Sequence, residues 1–171
     1  MRTRQGLTIL RLLLLIALIV MLGIVVYPML SRPRETDHPP DCDSNLGHVA
    51  LAALIYAQDH GDQLMPAQRW VDALGREYLC AYSRLKCPHE DSAARSSYGM
   101  NEALGGAKLS DIEDPHSVVL FYETAHPGGN PHGGAGDAVM PPRHGDCRYY
   151  AFADGYVQAV CAGPYRELRW R

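Results

Sequence analysis

At 171 residues the chain is long enough for one substantial core but not two, and its formal charge of −3 comes with no lysine- or arginine-rich run. Nucleic acid is therefore excluded as a partner class. The five cysteines, Cys42, Cys80, Cys87, Cys147 and Cys161, are an odd number, so at least one thiol stays free or pairs between chains.

The N-terminal stretch carries Arg2, Arg4 and Arg11 and then runs uncharged from Leu12 to Leu30, apolar throughout to Val26 apart from Gly23. A helix over 12–30 would be about 28 Å long and apolar on every face, close to the roughly 30 Å of a bilayer's hydrocarbon core. A secretory signal has a shorter apolar centre and a small-residue cleavage pair, and Tyr27-Pro28-Met29-Leu30-Ser31 offers none. The reading is a retained transmembrane helix at 12–30 with the lipid bilayer as a partner. The arginine bias puts residues 1–11 in the cytoplasm and the rest of the chain outside it. In a bacterium that means a single-pass protein of the inner membrane with a periplasmic head.

Residues 31–41 contain Pro33, Pro39 and Pro40 among charges and read as a spacer. The head, 42–171, opens on a helix near Asp43 or Ser44, with Leu46, Val49, Ala50, Ala53, Leu54 and Ala57 on one stripe and an end at Asp59-His60-Gly61-Asp62. A shorter helix falls within Gln68 to Tyr82. Ser117 to Tyr122 reads as a buried strand, and a glycine- and proline-rich loop follows from Thr124 to Pro142. Arg148 to Phe152 and Tyr156 to Val160 flank Asp154-Gly155 as a hairpin. The expected architecture is α+β: a transmembrane helix, a spacer, then one main helix packed on a small antiparallel sheet.

Three pieces of the chain resemble one family. Arg4-Gln5-Gly6-Leu7-Thr8-Ile9-Leu10 before an apolar helix resembles a prepilin leader. Cys42-Asp43-Ser44-Asn45-Leu46, Leu54 to Asp59, Cys87-Pro88 and Ser97-Tyr98-Gly99-Met100-Asn101 look like the middle of prepilin-like proteins of planctomycete-type bacteria. His144, nine residues, then Asp154-Gly155 matches the His-x9-Asp-Gly domain of type II secretion pseudopilin-like proteins. The resemblance implies cleavage between Gly6 and Leu7 by a prepilin peptidase, and assembly with other pseudopilin subunits into a secretion or pilus-like apparatus. The residues themselves show no catalytic set and ask for no cofactor, so the expected role is non-enzymatic. The chain departs from the family at Arg11, where a glutamate usually pairs with the neighbouring subunit's amino terminus, and at the prolines that interrupt the helix. A membrane-anchored periplasmic binding protein that never enters a filament is the alternative.

Site candidates follow from the residues themselves. Along an extended strand His144 and Asp154 lie too far apart to meet, so His144 is read as ordering its own turn and Asp154-Gly155 as the hairpin turn. His126, His132 and Asp137, with His144 and Asp146 nearby, are the weak metal candidates, set against a solvated loop. A two-residue Asp154-Gly155 turn puts Cys161 on the face opposite Cys147; a three-residue turn puts the two cysteines across from each other. Cys42 can reach Cys80 or Cys87, and metal ligation by Cys80, Cys87 and His89 competes with either pairing. No motif of a hydrolase elbow, zinc protease or phosphate-binding loop is present.

Overall fold

The computed structural model describes residues 11–22, 41–161 and 168–171. The chain divides into two compact units, Met1–His38 and Pro39–Arg171. In the first, residues 11–22 form helix α1, and every one of them is exposed. Among the described residues no helix is long and apolar enough to cross a membrane.

This corrects the expected transmembrane helix at 12–30 and, with it, the single-pass inner-membrane location. An uncharged run fixes composition, whereas a span needs a helix that is both long and apolar, and none of the described helices is. Gly6, Leu7, residues 23–30 and nearly all of the spacer lie outside the described residues.

The second unit is α+β. Helix α2 (Cys42–Asp59) starts where the Asn45 amide bonds the Asp41 carbonyl at 3.0 Å. It ends with Gly61 and Asp62 both at positive φ, which lets the Asp62 amide return to the Ala57 carbonyl at 2.8 Å. Its buried side is Cys42, Asn45, Leu46, Val49, Ala50, Ala52, Ala53 and Ala57. The alanines keep that side thin, so the helix backbone lies close to the sheet. Helix α3 (Trp70–Tyr78) buries Trp70, Val71 and Leu74. The Trp70 indole packs on Phe121 at 5.0 Å and donates to the Pro131 carbonyl at 2.7 Å. A fully buried tryptophan thus keeps its one donor satisfied.

Five strands, β1 (Ser96–Asn101), β2 (Val119–Gly128), β3 (His132–Gly133), β4 (Cys147–Phe152) and β5 (Val157–Cys161), form one sheet in the order β3-β1-β2-β4-β5. All neighbours are antiparallel except β1 and β3. The sheet is therefore larger than expected and mixed. Strand β2 runs on past Tyr122 because Glu123 and Thr124, although polar, are buried and paired. Strand β1 carries no aliphatic alternation, and its six residues are all buried.

Each face of the sheet has its own core. Leu46, Val49, Trp70, Leu120 and Ala151 share the helix side. Val119, Tyr122, Tyr150 and Phe152 occupy the other, covered by Ala138, Leu168 and Trp170. The C-terminal residues reach that face through Val119 N–H to the Arg169 carbonyl at 2.9 Å and Arg169 N–H to the Ser117 carbonyl at 3.1 Å.

Gly99 pairs with Tyr122 across β1 and β2, and a Cβ added there would stand 2.9 Å from Tyr122 Cζ. The ring cannot swing away freely, since it is fully buried and packs edge-on against Trp170 at 5.2 Å. Gly99→Ala should lower stability by about 1–3 kcal/mol, read as a drop in denaturation midpoint with the slope unchanged.

Candidate functional site

The first turn of α2, the segment after a short 3-10 turn (Tyr82–Leu85), the starts of β1 and β4, and the middle of β2 converge on one seam. Cys42, the first residue of α2, and Cys87 are bonded there as a disulfide across a sequence separation of 45, and each is 1% exposed. Hydrogen bonds lock the seam around the sulfurs. Tyr98 Oη donates to the Cys42 carbonyl at 3.2 Å, and Asn45 Nδ2 to the Lys86 carbonyl at 2.8 Å. The Cys87 amide donates to Ser97 Oγ at 3.1 Å, and Ser97 Oγ in turn donates to Glu90 Oε2 at 2.8 Å. Arg143 clamps β1 to β2 by donating to the carbonyls of Ser97 and Thr124 at 3.3 and 2.9 Å.

Two imidazoles complete the cluster. His89 Nδ1 lies 3.9 Å from Cys42 Sγ, and His144 Nε2 lies 3.5 Å from Cys87 Sγ. Their rings meet edge to face at 4.9 Å. His144 Nε2 also donates to Glu123 Oε1 at 2.8 Å, and Glu123 Oε2 accepts the Tyr149 amide at 2.9 Å. The Glu123 side chain has no exposure at all, and that of His144 has 13%. A buried carboxylate without partners is costly by several kcal/mol, so these two donors are what make the position tenable.

Burial raises the Tyr98 phenol far above its ordinary pKa, and it therefore stays a neutral donor to Cys42. Burial, followed by the charges of Asp43 and Glu123, also raises that of Tyr149. At Glu90 burial pushes the carboxyl up, but hydrogen bonds from Ser92 and Ser97 outweigh it and hold the group below its ordinary range.

The constellation of cysteine, histidine and acid is not a nucleophile relay. A relay needs the acid on one ring nitrogen and the nucleophile at the other. Here Glu123 and Cys87 both face Nε2, and the sulfur is committed to a disulfide. With the Cys42–Cys87 bridge reduced, what the four side chains Cys42, Cys87, His89 and His144 offer is ligation. One donor atom from each lies within 4.8 Å of the others, which makes them a group able to hold a metal ion.

The sequence candidates sort as follows. His144 and Asp154 occupy separate clusters. Asp154 Oδ2 meets His116 Nδ1 at 2.6 Å, and its Oδ1 accepts the Tyr156 amide. Gly155 sits at φ 86° in a three-residue turn, so Cys147 stands across from Cys161 and is bonded to it. Cys80 is free and exposed. His126 comes to 3.9 Å from Asp137, while His132 turns to the Asn130 carbonyl at 2.9 Å; Asp137 meanwhile accepts the Gly134 amide. These three are not drawn together as a ligand set. Arg11 is exposed in α1.

Sequence reasoning missed Glu123, the His116–Asp154 pair and the approach of His144 to Cys87. For Glu123 a signal existed, a lone acid directly after Val118 to Tyr122 in an apolar strand. At the opposite end of β1 a groove of about 620 Å³ is lined by Asn101, Gly133, Trp170 and Arg171, with none of this chemistry.

Replacing Glu123 with leucine keeps the volume but strands the Tyr149 amide and the His144 ring. It should cost about 1–3 kcal/mol in denaturant unfolding, against less than that for a volume-matched change at an apolar site.

Comparison with family models, with curated proteins and with solved structures gives no match.

Proposed function

We propose that the chain is a non-enzymatic, pseudopilin-like subunit of a type II secretion or pilus-like apparatus, in which α1 packs against the same helix of neighbouring copies. The observation that carries this reading is the state of α1. From Leu12 to Leu22 it bears no charge, and its large side chains stand half or more exposed, Ile16 at 50% and Ile19 at 68%. Burying one such side chain is worth about 1.5–3 kcal/mol, and a helix apolar on all sides belongs inside a bundle. The head, by contrast, has a core on each face of its sheet and two disulfides. It can fold as a unit.

The resemblance at Gly6-Leu7 and the His144…Asp154-Gly155 spacing support the same reading, with a prepilin peptidase and sister subunits as partners. Arg11 stands where the family's pairing acid is found. A like charge there opposes a neighbour's amino terminus, so assembly would lean more heavily on apolar packing.

Full-length protein co-expressed with a prepilin peptidase should lose residues 1–6 by mass and sediment as oligomers. Leu15→Asp with Ile19→Asp should return it to monomer while the head melts as before, and Arg11→Glu should tighten the oligomer. A wild-type chain that sediments as a monomer overturns the proposal.

A further inference from the structure

We propose that the seam at Cys42, Cys87, His89 and His144 is a redox-gated zinc site: closed by the disulfide when oxidised, a Cys2His2 centre when reduced. The proposal does not depend on the chain's place in any assembly.

The donor set comes first. Two thiolates and two imidazoles are the ligands of structural zinc and are poor ones for calcium or magnesium. Geometry comes second. Zinc–sulfur and zinc–nitrogen bonds of about 2.3 and 2.0–2.1 Å at tetrahedral angles put neighbouring sulfur and nitrogen about 3.6 Å apart. The structure already has Cys42 Sγ and His89 Nδ1 at 3.9 Å, and Cys87 Sγ and His144 Nε2 at 3.5 Å. All four donors lie within 4.8 Å of one another. Only the sulfurs must part, from a bond of about 2.05 Å to about 3.8 Å.

Access and support come third. His89 is exposed and gives an ion a way in, while both cysteines and most of His144 are shielded from water. Cys42 opens α2, where the helix's positive end favours a thiolate. Glu123 Oε1, 2.8 Å from His144 Nε2, exchanges the ring proton there for the charge of the cation when the metal takes the nitrogen, and it keeps the Tyr149 amide.

The chemistry balances. A dithiol reductant delivers two electrons and two protons, the Cys42–Cys87 bond breaks to two thiols, and the reductant becomes its own disulfide. Zinc then displaces the two thiol protons to solvent. His144 moves its ring proton from Nε2 to Nδ1, which frees Nε2 for the metal. A small-molecule disulfide reverses the sequence. It accepts the two electrons of the Cys42 and Cys87 thiolates and two protons from solvent and leaves as two thiols, and the re-formed Cys42–Cys87 bond releases zinc to solvent.

The test uses the full chain, oxidised or reduced with a dithiol that is then removed, and dialysed against zinc or cobalt. Reduced protein should hold one zinc per chain and show the visible absorption of tetrahedral cobalt with thiolate ligands; oxidised protein should hold none. His89→Ala, an exposed change that leaves the core untouched, should weaken zinc by more than the roughly 10–100-fold that loss of an outer-shell partner costs. Cys80→Ser, and Cys147→Ser with Cys161→Ser, should leave binding unchanged. Equal zinc in both redox states, no zinc in either, or binding that survives His89→Ala but is lost in Cys80→Ser would each overturn the assignment.

Discussion

The head depends on a carboxylate that should not be where it is. Glu123 lies in the middle of the sheet with no exposed surface, and a bare charge there would outweigh much of a domain's net stability. The fold surrounds it with donors from elements distant in sequence: the Tyr149 amide of β4 and the His144 ring just before that strand. To bring His144 there the chain must turn sharply at Gly145, whose φ is 64°, and the His144 carbonyl closes that turn by accepting the Cys147 amide at 3.1 Å. The same turn delivers Cys147 to Cys161 and the imidazole to Cys87. One buried acid therefore sets the entry of β4, and β4 sets where the helix can dock.

The two disulfides act at different ranges. Cys147–Cys161 closes a separation of 14 at the open end of a hairpin already held by its ladder, whereas Cys42–Cys87 closes 45 residues and ties α2 to the sheet. Loop-closure entropy alone assigns about 3 and about 4 kcal/mol to them. The longer bridge also fixes the direction of α2 at its first residue. Its alanine side then lies along β4 and β5 close enough that Leu54 Cδ1 comes within 2.9 Å of where a Cβ on Gly155 would stand.

Helix α2 was legible in the sequence because its stripe is periodic and its end is marked by Gly61. The hairpin was legible from Asp154-Gly155, although register could not decide between two turn lengths, and so between a bridged and an unbridged Cys147. Strand β1 was not legible as a strand: Ser96, Ser97 and Gly99 have little strand propensity, and tertiary burial against β2 overrides that. The far half of β2 was hidden for a related reason, since Glu123 and Thr124 are polar residues whose partners lie 13 to 26 positions away. The transmembrane reading is corrected on other grounds. It needed one apolar helix over the whole of 12–30, and among the described residues no helix is long and apolar enough to cross a membrane.

The spacing from His144 to Asp154 acquires a physical meaning that neither residue has alone. Between them lie the Gly145 turn, the whole of β4 and the start of the β4–β5 turn. Strand β4 covers about 20 Å at 3.3 Å per residue, so the two residues mark opposite ends of one strand. His144 fixes its base by binding Glu123; Asp154 fixes its tip by capping the Tyr156 amide and pairing with His116. An insertion or deletion of one residue between them would turn the strand over, moving Tyr150 and Phe152 out of one core and Ala151 out of the other. It would also break the Cys147–Cys161 alignment. The spacing is thus a register constraint: it measures one strand, and the acid buried beside that strand is what holds the measure.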